Sequence, residues 1–133
     1  MISAVADTHT VIWYLYGDPR LSSTARTWIE TAATTGAQIA LSSITLAEMV
    51  YLIEKGRIDA AVLSRLMAAL DAADAVLVEV PFDRRVAERL FRVPRAEVPD
   101  LPDRIIAATA LYQAVPIISR DHKIRTSNLS TVW

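Results

Sequence analysis

Four acidic residues occupy positions from which their carboxylates could do chemistry together. Asp7 directly follows the apolar run 1–6, and Asp121 comes two residues after the apolar segment "PIIS". Asp103 lies at the beginning of "LPDRIIAATA", and Glu48 lies inside "SSITLAEMVYLI". Carboxylates can ligate hard divalent cations or act as general acids and bases. The position of these four side chains in the fold therefore decides what the chain can do.

Three of these acids also have an ordinary structural explanation. Asp7 and Asp121 could cap a turn or a helix, because Asp favours those positions. Asp103 could lie in the first turn of a helix, where the helix dipole stabilises an acid by a few tenths to about 1 kcal/mol. Asp100 could cap that same helix. Because Asp103 is nearer the apolar run, we expect its side chain to point inward over the edge of a sheet.

Glu48 is harder to explain structurally, because its predicted helix is apolar on nearly every side. A buried carboxylate is costly unless it is paired or bound to a metal. The alternative is a capping box with Thr45, since Thr45-x-x-Glu48 fits that pattern. Ser43 is the better cap, which leaves Glu48 inside the helix and favours a functional role.

Apolar segments alternate with helical patterns along the whole chain. We predict strands over 2–6, 37–42, 75–81 and 115–121, and either a fifth strand or an irregular end over 129–133. We predict helices over 8–17, 22–36, 43–56, 59–74, 83–93 and 101–115. This alternation predicts an α/β fold, a three-layer α/β/α sandwich with a central four- or five-stranded parallel sheet. Ligands of such sheets bind outside the carboxyl ends of the strands, where Asp7 and Asp121 would lie.

Composition excludes several classes of chemistry. The 133 residues contain no cysteine, which excludes thiolate zinc sites and thiol nucleophiles. The two histidines form no His-Glu-x-x-His motif, and three glycines are too few for a glycine-rich phosphate loop. The length predicts a single domain over 1–133. Without a basic leader region or an apolar stretch of membrane-spanning length, we expect a cytoplasmic protein with no membrane partner.

Charge is distributed unevenly along the chain. The net charge is −1, but residues 1–81 carry 5 basic and 9 acidic side chains, and residues 82–133 carry 9 and 6. Five arginines between positions 84 and 95 form a basic cluster. Such a cluster could follow nucleic-acid phosphates or be an ordinary solvated helix face.

Convergence of the four acids would require a cation. Two carboxylates about 5 Å apart repel each other by roughly 3 kcal/mol at an effective dielectric constant of 20. Four of them without a counter-ion would have raised pKa values and would destabilise the fold. An all-oxygen ligand set suits Mg²⁺ or Mn²⁺ and does not suit zinc. Such ions activate water and, in pairs, bind the attacking and leaving oxygens at phosphorus.

With these residues the sequence resembles the PIN-domain ribonucleases, specifically toxins of the VapC type. The matching segments, which cover most of the chain, are "VADTHTVIWYL", "SSITLAEMVYLI", "LPDRIIAATALYQAVPIISRDHKI" and the closing short strand. The resemblance implies that Asp7, Glu48 and Asp103 are catalytic metal ligands for Mg²⁺ or Mn²⁺. It implies that Asp121 is a fourth, weaker ligand and that Ser119 supplies a hydroxyl that hydrogen-bonds the site.

The resemblance also implies a substrate and partners. We expect hydrolysis of RNA phosphodiester bonds, inhibition by a cognate antitoxin of the VapB kind, and a homodimer. The helix with Met49, Val50 and Ile53 offers apolar surface for a dimer, or else packs in the core. Arg104, Arg120 and Lys123 could neutralise phosphate charge, or could pair with the acids instead.

Two other functions fit parts of the sequence. A non-catalytic PIN-like module that binds RNA or a protein partner would share the fold, although four intact acids argue against it. A receiver-like phosphoacceptor domain needs adjacent acids early in the chain and a lysine after a late strand. Here Asp7 stands alone after its strand, and "IIS" is followed by Arg-Asp.

Overall fold

The apolar segments of the sequence form strands, and the segments between them form helices. The computed structural model describes residues 1–126 and 128–133. The strands in these ranges are β1 (Ile2–Ala6), β2 (Gln38–Ser42), β3 (Leu77–Val80), β4 (Ile117–Ile118) and β5 (Thr131–Val132). The helices are α1 (Thr8–Leu15), α2 (Ser23–Thr35), α3 (Ile44–Glu54), α4 (Ala61–Asp71), α5 (Arg84–Arg89) and α6 (Leu101–Gln113). None of these helices combines the length and apolar character needed to cross a membrane.

The strands form one parallel sheet in the order β3-β2-β1-β4-β5, which confirms the predicted fold and the fifth strand. The chain winds outward from β1 to β3 and then crosses to the other side of β1 to form β4. A crevice opens outside the carboxyl ends of the strands at such a reversal. Ala6 pairs with Ile118, so the residues that follow them, Asp7 and Ser119, leave the sheet beside each other.

Alternate residues of each strand face two separate cores, as the two-residue period of a strand requires. Ala4 and Ala6 of β1 belong to the core that includes Leu66 of α4. Val5, which lies between them, belongs to the core that includes Ile106 of α6. Helices therefore cover both faces of the sheet, and the predicted three-layer α/β/α sandwich is confirmed.

The helix predicted over 83–93 is shorter than expected. The α-helix ends at Arg89 and continues as a 3₁₀ turn over Leu90–Arg92. Val93 is extended (φ −106°, ψ 98°), because the proline that follows it disfavours a helical conformation. The Arg104 guanidinium donates to the carbonyl oxygens of Leu90 (2.8 Å) and Val93 (3.2 Å), which attaches this turn to α6.

Helix α3 begins without the cap predicted at Ser43. Ser43 already has helical angles (φ −57°, ψ −21°), and its hydroxyl oxygen accepts a hydrogen bond from the Phe82 amide instead (2.9 Å). The hydroxyl of Ser42 accepts from the Ile44 amide (3.2 Å). The prediction was therefore wrong about the capping side chain, but Glu48 lies inside the helix as expected.

Adjacent residues of α4 test how strongly the helix depends on its buried face. Leu66 is fully buried, whereas Met67 is 41% exposed. We expect Leu66→Ala to lower the free energy of unfolding by about 2–5 kcal/mol, because it leaves a cavity under the sheet. Met67→Ala, the control on the same helix, should change it by about 0.5 kcal/mol or less. Urea unfolding measures both, and equal losses for the two variants would contradict this packing.

Candidate active site

Asp7 lies at the switch point of the sheet, because it directly follows β1, where the strand order reverses; it is also the N-cap of α1. Its side chain is only 7% exposed. One carboxylate oxygen accepts the amide hydrogen of Thr10 at 2.9 Å, and the other accepts the hydroxyl of Ser119. These bonds fix the carboxylate in place over the end of the sheet.

Ser119 connects two of the predicted acids. Its buried hydroxyl donates to Asp7 and accepts the Asp121 amide hydrogen at 3.0 Å. The Asp121 carboxylate, which is exposed, accepts the amide hydrogen of Lys123 at 2.8 Å and so begins a 3₁₀ turn. The fold thus places Asp121 beside Asp7 but on the solvent side of Ser119.

Glu48 is joined to the end of β1 through two threonines. The Thr8 hydroxyl donates to a Glu48 carboxylate oxygen at 2.5 Å, and the hydroxyls of Thr8 and Thr45 are 3.0 Å apart. Because Thr8 has one hydroxyl hydrogen, Thr45 must be the donor in the second bond. Burial raises the pKa of Glu48, while the bond from Thr8 partly opposes that rise.

Asp103 lies in the first turn of α6, and Asp100 is the cap of that helix. The Asp100 carboxylate accepts the Asp103 amide hydrogen at 3.1 Å. Burial, followed by the charges of Asp100, Glu48, Asp121 and Asp7 in that order, raises the pKa of Asp103 from 3.8 to about 7. Asp103 therefore experiences the charges of the three other acids predicted from the sequence, together with that of Asp100.

The same acids are not arranged as a finished coordination shell. Within residues 1–126 and 128–133, no three acidic or histidine side chains lie close enough to hold one ion as they are placed. The raised pKa of Asp103 is compatible with this spacing, because charge repulsion acts over longer distances than the 2.0–2.1 Å of a Mg²⁺–oxygen bond. Asp7 and Glu48 each hydrogen-bond a hydroxyl instead. The donor set, which is all carboxylate, still suits Mg²⁺ or Mn²⁺.

Of the three predicted phosphate contacts, two lie at this site. A cavity of about 420 Å³ opens beside Asp7 and Asp121, and Arg120 and Lys123 are part of its wall. Arg104 instead holds backbone carbonyls within the fold. The arginine cluster of residues 84–95 belongs to α5 and the turns after it and does not line this cavity.

The sequence interpretation missed two residues of the site. Thr8 was not singled out, although it directly follows Asp7 and its hydroxyl reaches Glu48. Asp100 was considered only as a cap, but its charge is the largest electrostatic contribution to the raised pKa of Asp103. The only feature of the sequence that could have indicated these two residues was their proximity to a predicted acid, Asp7 for Thr8 and Asp103 for Asp100.

A doubly wound parallel sheet with carboxylates at its switch point defines an α/β protein whose candidate ligand site lies at that edge of the sheet. Residues 4–127 match the family model of the PIN domain, and the chain belongs to that family.

Individual relatives agree with this assignment over the full length. The chain is 26% identical to Ribonuclease VapC22 of Mycobacterium tuberculosis over 136 residues, which cover 100% of both chains. A toxin–antitoxin complex from Klebsiella pneumoniae superposes with a TM-score of 0.66 and 27% identity, over 98% of this chain and 97% of that one. The crystal structure of VapBC2 from Rickettsia felis bound to a promoter DNA fragment superposes with a TM-score of 0.71 and 22% identity, over 98% of this chain and 97% of that one.

We expect Asp103→Asn to stabilise the metal-free protein increasingly as the pH rises. The native carboxyl keeps its proton up to about pH 7, whereas its ordinary pKa is 3.8. The native state therefore binds more protons than the unfolded state between these values, so wild-type stability falls as pH rises through this window. Asparagine does not ionise and avoids that loss.

Urea unfolding with chelator at pH 5 and pH 8 measures this effect. Allowing for solvent screening, the advantage of Asp103→Asn should be larger at pH 8 by about 1–2 kcal/mol. Asp71→Asn, at the exposed end of α4, is the matched control. An advantage that is the same at both pH values would show that burial and neighbouring charges do not raise the pKa of the Asp103 carboxyl.

Proposed function

We propose that this chain is a metal-dependent endoribonuclease, the toxin of a type II toxin–antitoxin pair. The observation that carries the proposal is the convergence of Asp7, Glu48 and Asp121 on Asp103 at the sheet switch point, where burial and their negative charges raise the pKa of Asp103. A fold that keeps such a cluster loses stability unless a cation neutralises it.

The relatives support the proposed reaction and partner. The relative that matches over its full length is named a ribonuclease, and a structure with 27% identity is a toxin–antitoxin complex. RNA is therefore the proposed substrate, and an antitoxin of the VapB kind is the proposed protein partner. We propose a cytoplasmic location, since cellular RNA is found there.

Asp7, Glu48 and Asp103 would hold one or two Mg²⁺ or Mn²⁺ ions, with Asp121 as a more exposed fourth ligand. When bound, such an ion lowers the pKa of a water molecule and stabilises charge at phosphorus. Ser119 and Thr8 keep two of the carboxylates in position through their hydroxyl groups.

Two basic residues would neutralise the phosphate charge of the substrate. Arg120 and Lys123 line the cavity beside Asp7 and can neutralise a phosphate there. For Arg104 we propose a structural role, because its guanidinium is bound to two backbone carbonyls.

We also propose a homodimer that forms through α3. The apolar surface that α3 exposes for it is smaller than the sequence predicted. Val50 is 42% exposed and Tyr51 is 53% exposed, so both are available to a second copy. Met49 is fully buried and belongs to the core instead.

A second candidate function is a non-catalytic PIN-like module that binds RNA or a protein partner. The observation that favours it is that, in the described part of the chain, no three acids are already placed to hold an ion. RNA cleavage by the purified protein separates the two candidates.

We expect Asp7→Asn to abolish RNA cleavage and to leave the fold intact. Asparagine keeps the helix cap, because its amide oxygen can still accept the Thr10 amide hydrogen. It removes the negative charge that a cation requires. Cleavage of total RNA should fall at least about 100-fold, in the range that loss of a metal ligand's support or of a catalytic group costs. Circular dichroism should be unchanged.

The exposed Asp71→Asn serves as the matched control and should cleave at the wild-type rate. Wild-type activity in purified Asp7→Asn would remove Asp7 from the proposed mechanism.

Cleavage should also depend on a hard divalent ion. We expect purified protein to cleave RNA with Mg²⁺ or Mn²⁺ and to stop when chelator is added, since the ligand set contains only oxygen. Restoring the ion should restore the activity. Undiminished cleavage in excess chelator would contradict a metal mechanism.

A further inference from the structure

The cavity beside the acids contains a group of side chains that metal binding does not use. Besides Asp7 and Asp121, its wall is formed by Arg120, Lys123 and the aromatic residues His9, Trp13 and His122. Its volume of about 420 Å³ lies in the range of pockets that bind small organic ligands, roughly 300–1,000 Å³. Because Asp7 belongs both to this wall and to the acidic site, a ligand in the cavity would lie next to the proposed reaction centre.

Trp13 packs against Arg120, one of the two basic side chains of the cavity. Its ring is only 5% exposed. The central guanidinium carbon of Arg120 lies 4.6 Å from the ring centroid, which is a cation–π contact. Arg120 is itself exposed and forms no ion pair with any residue in the ranges 1–126 and 128–133. Its charge is therefore available to an anion.

A second arginine on the same ring provides an internal comparison. The guanidinium carbon of Arg20 lies 5.1 Å from the Trp13 centroid. Arg20 does not line the cavity, and it forms an ion pair with Asp18 at 2.7 Å. The charge of Arg20 is already neutralised, whereas that of Arg120 is not.

Two further aromatic rings lie close to Trp13. The His9 ring is exposed, and its centroid lies 5.7 Å from that of Trp13. Trp133, at the end of the chain, lies 5.8 Å from Trp13 on the same measure. Exposed aromatic rings are the surfaces on which proteins stack the unpaired bases of single-stranded RNA.

We propose that this cavity is the binding subsite for the nucleotide next to the bond that is cleaved. Arg120, positioned by Trp13 and assisted by Lys123, binds the phosphate of that nucleotide, and His9 stacks on its base. The inference rests on the proposed ribonuclease function, since that function would bring a nucleotide of the RNA to Asp7. It adds residues that bind the phosphate and the base of the nucleotide, which the acids alone cannot do.

The indole N–H signals of the three tryptophans provide a direct test by NMR. Trp13 lines the cavity and the ring of Trp133 packs near that of Trp13, whereas Trp28 lines a different cavity on α2. The probes are AMP, GMP, CMP and UMP, added separately to chelated protein, with inorganic phosphate as the comparison. Single Trp→Phe variants assign the signals.

We expect at least one nucleotide to shift the Trp13 and Trp133 signals and to leave Trp28 unchanged. Arg120→Ala should weaken this binding at least about fivefold, as loss of a charge-assisted contact requires. The matched control Arg20→Ala should change it by less than about twofold, because that arginine is already paired. His9→Ala should reduce the preference for the nucleotide over inorganic phosphate.

Three results would overturn the subsite. These are equal shifts with inorganic phosphate, equal movement of all three tryptophan signals, or unchanged binding by Arg120→Ala. RNA cleavage measured in parallel keeps the two hypotheses separate. Nucleotide binding without RNA cleavage would support the subsite and contradict the ribonuclease function. RNA cleavage without nucleotide binding would support the ribonuclease function and contradict the subsite.

Discussion

The burial of several carboxylates near one another at one end of the sheet is the constraint on which the rest of the structure depends. Burial and neighbouring charges raise the pKa of Asp103 to about 7. The cost of burying Asp7 and Glu48 there is reduced because Ser119 donates a hydroxyl hydrogen to Asp7 and Thr8 donates one to Glu48. These bonds hold the acids in place but do not remove their charge. A divalent cation would remove it, which is why the site is suited to one.

The strand order creates this crowding. Because β1 and β4 are parallel neighbours, with Ala6 paired to Ile118, Asp7 and Ser119 leave the sheet at the same level. The two apolar cores hold the strands in that register, since a slip of one residue would turn every side chain to the other face. The same edge carries Arg120 over Trp13, so the acids and the proposed nucleotide subsite share one scaffold.

The sequence predicted the features that follow from periodicity and failed where tertiary contacts decide. Alternating apolar and helical segments were enough to predict the parallel sheet, and therefore the common edge of Asp7 and Asp121. The Thr8 hydroxyl, the bonds of Arg104 to carbonyls and the surroundings of Trp13 depend on rotamers and on contacts between distant segments. No local pattern encodes those contacts. Ser43 shows the same limit, because a distant amide takes the hydroxyl that was expected to cap α3.

The most direct test of the central claim is anomalous X-ray scattering from crystals of this protein soaked in Mn²⁺. The account predicts a manganese peak between the carboxylates of Asp7, Glu48 and Asp103, with the Glu48 oxygen drawn away from Thr8. A well-ordered site with no manganese among these carboxylates, or with manganese bound only elsewhere, would contradict it.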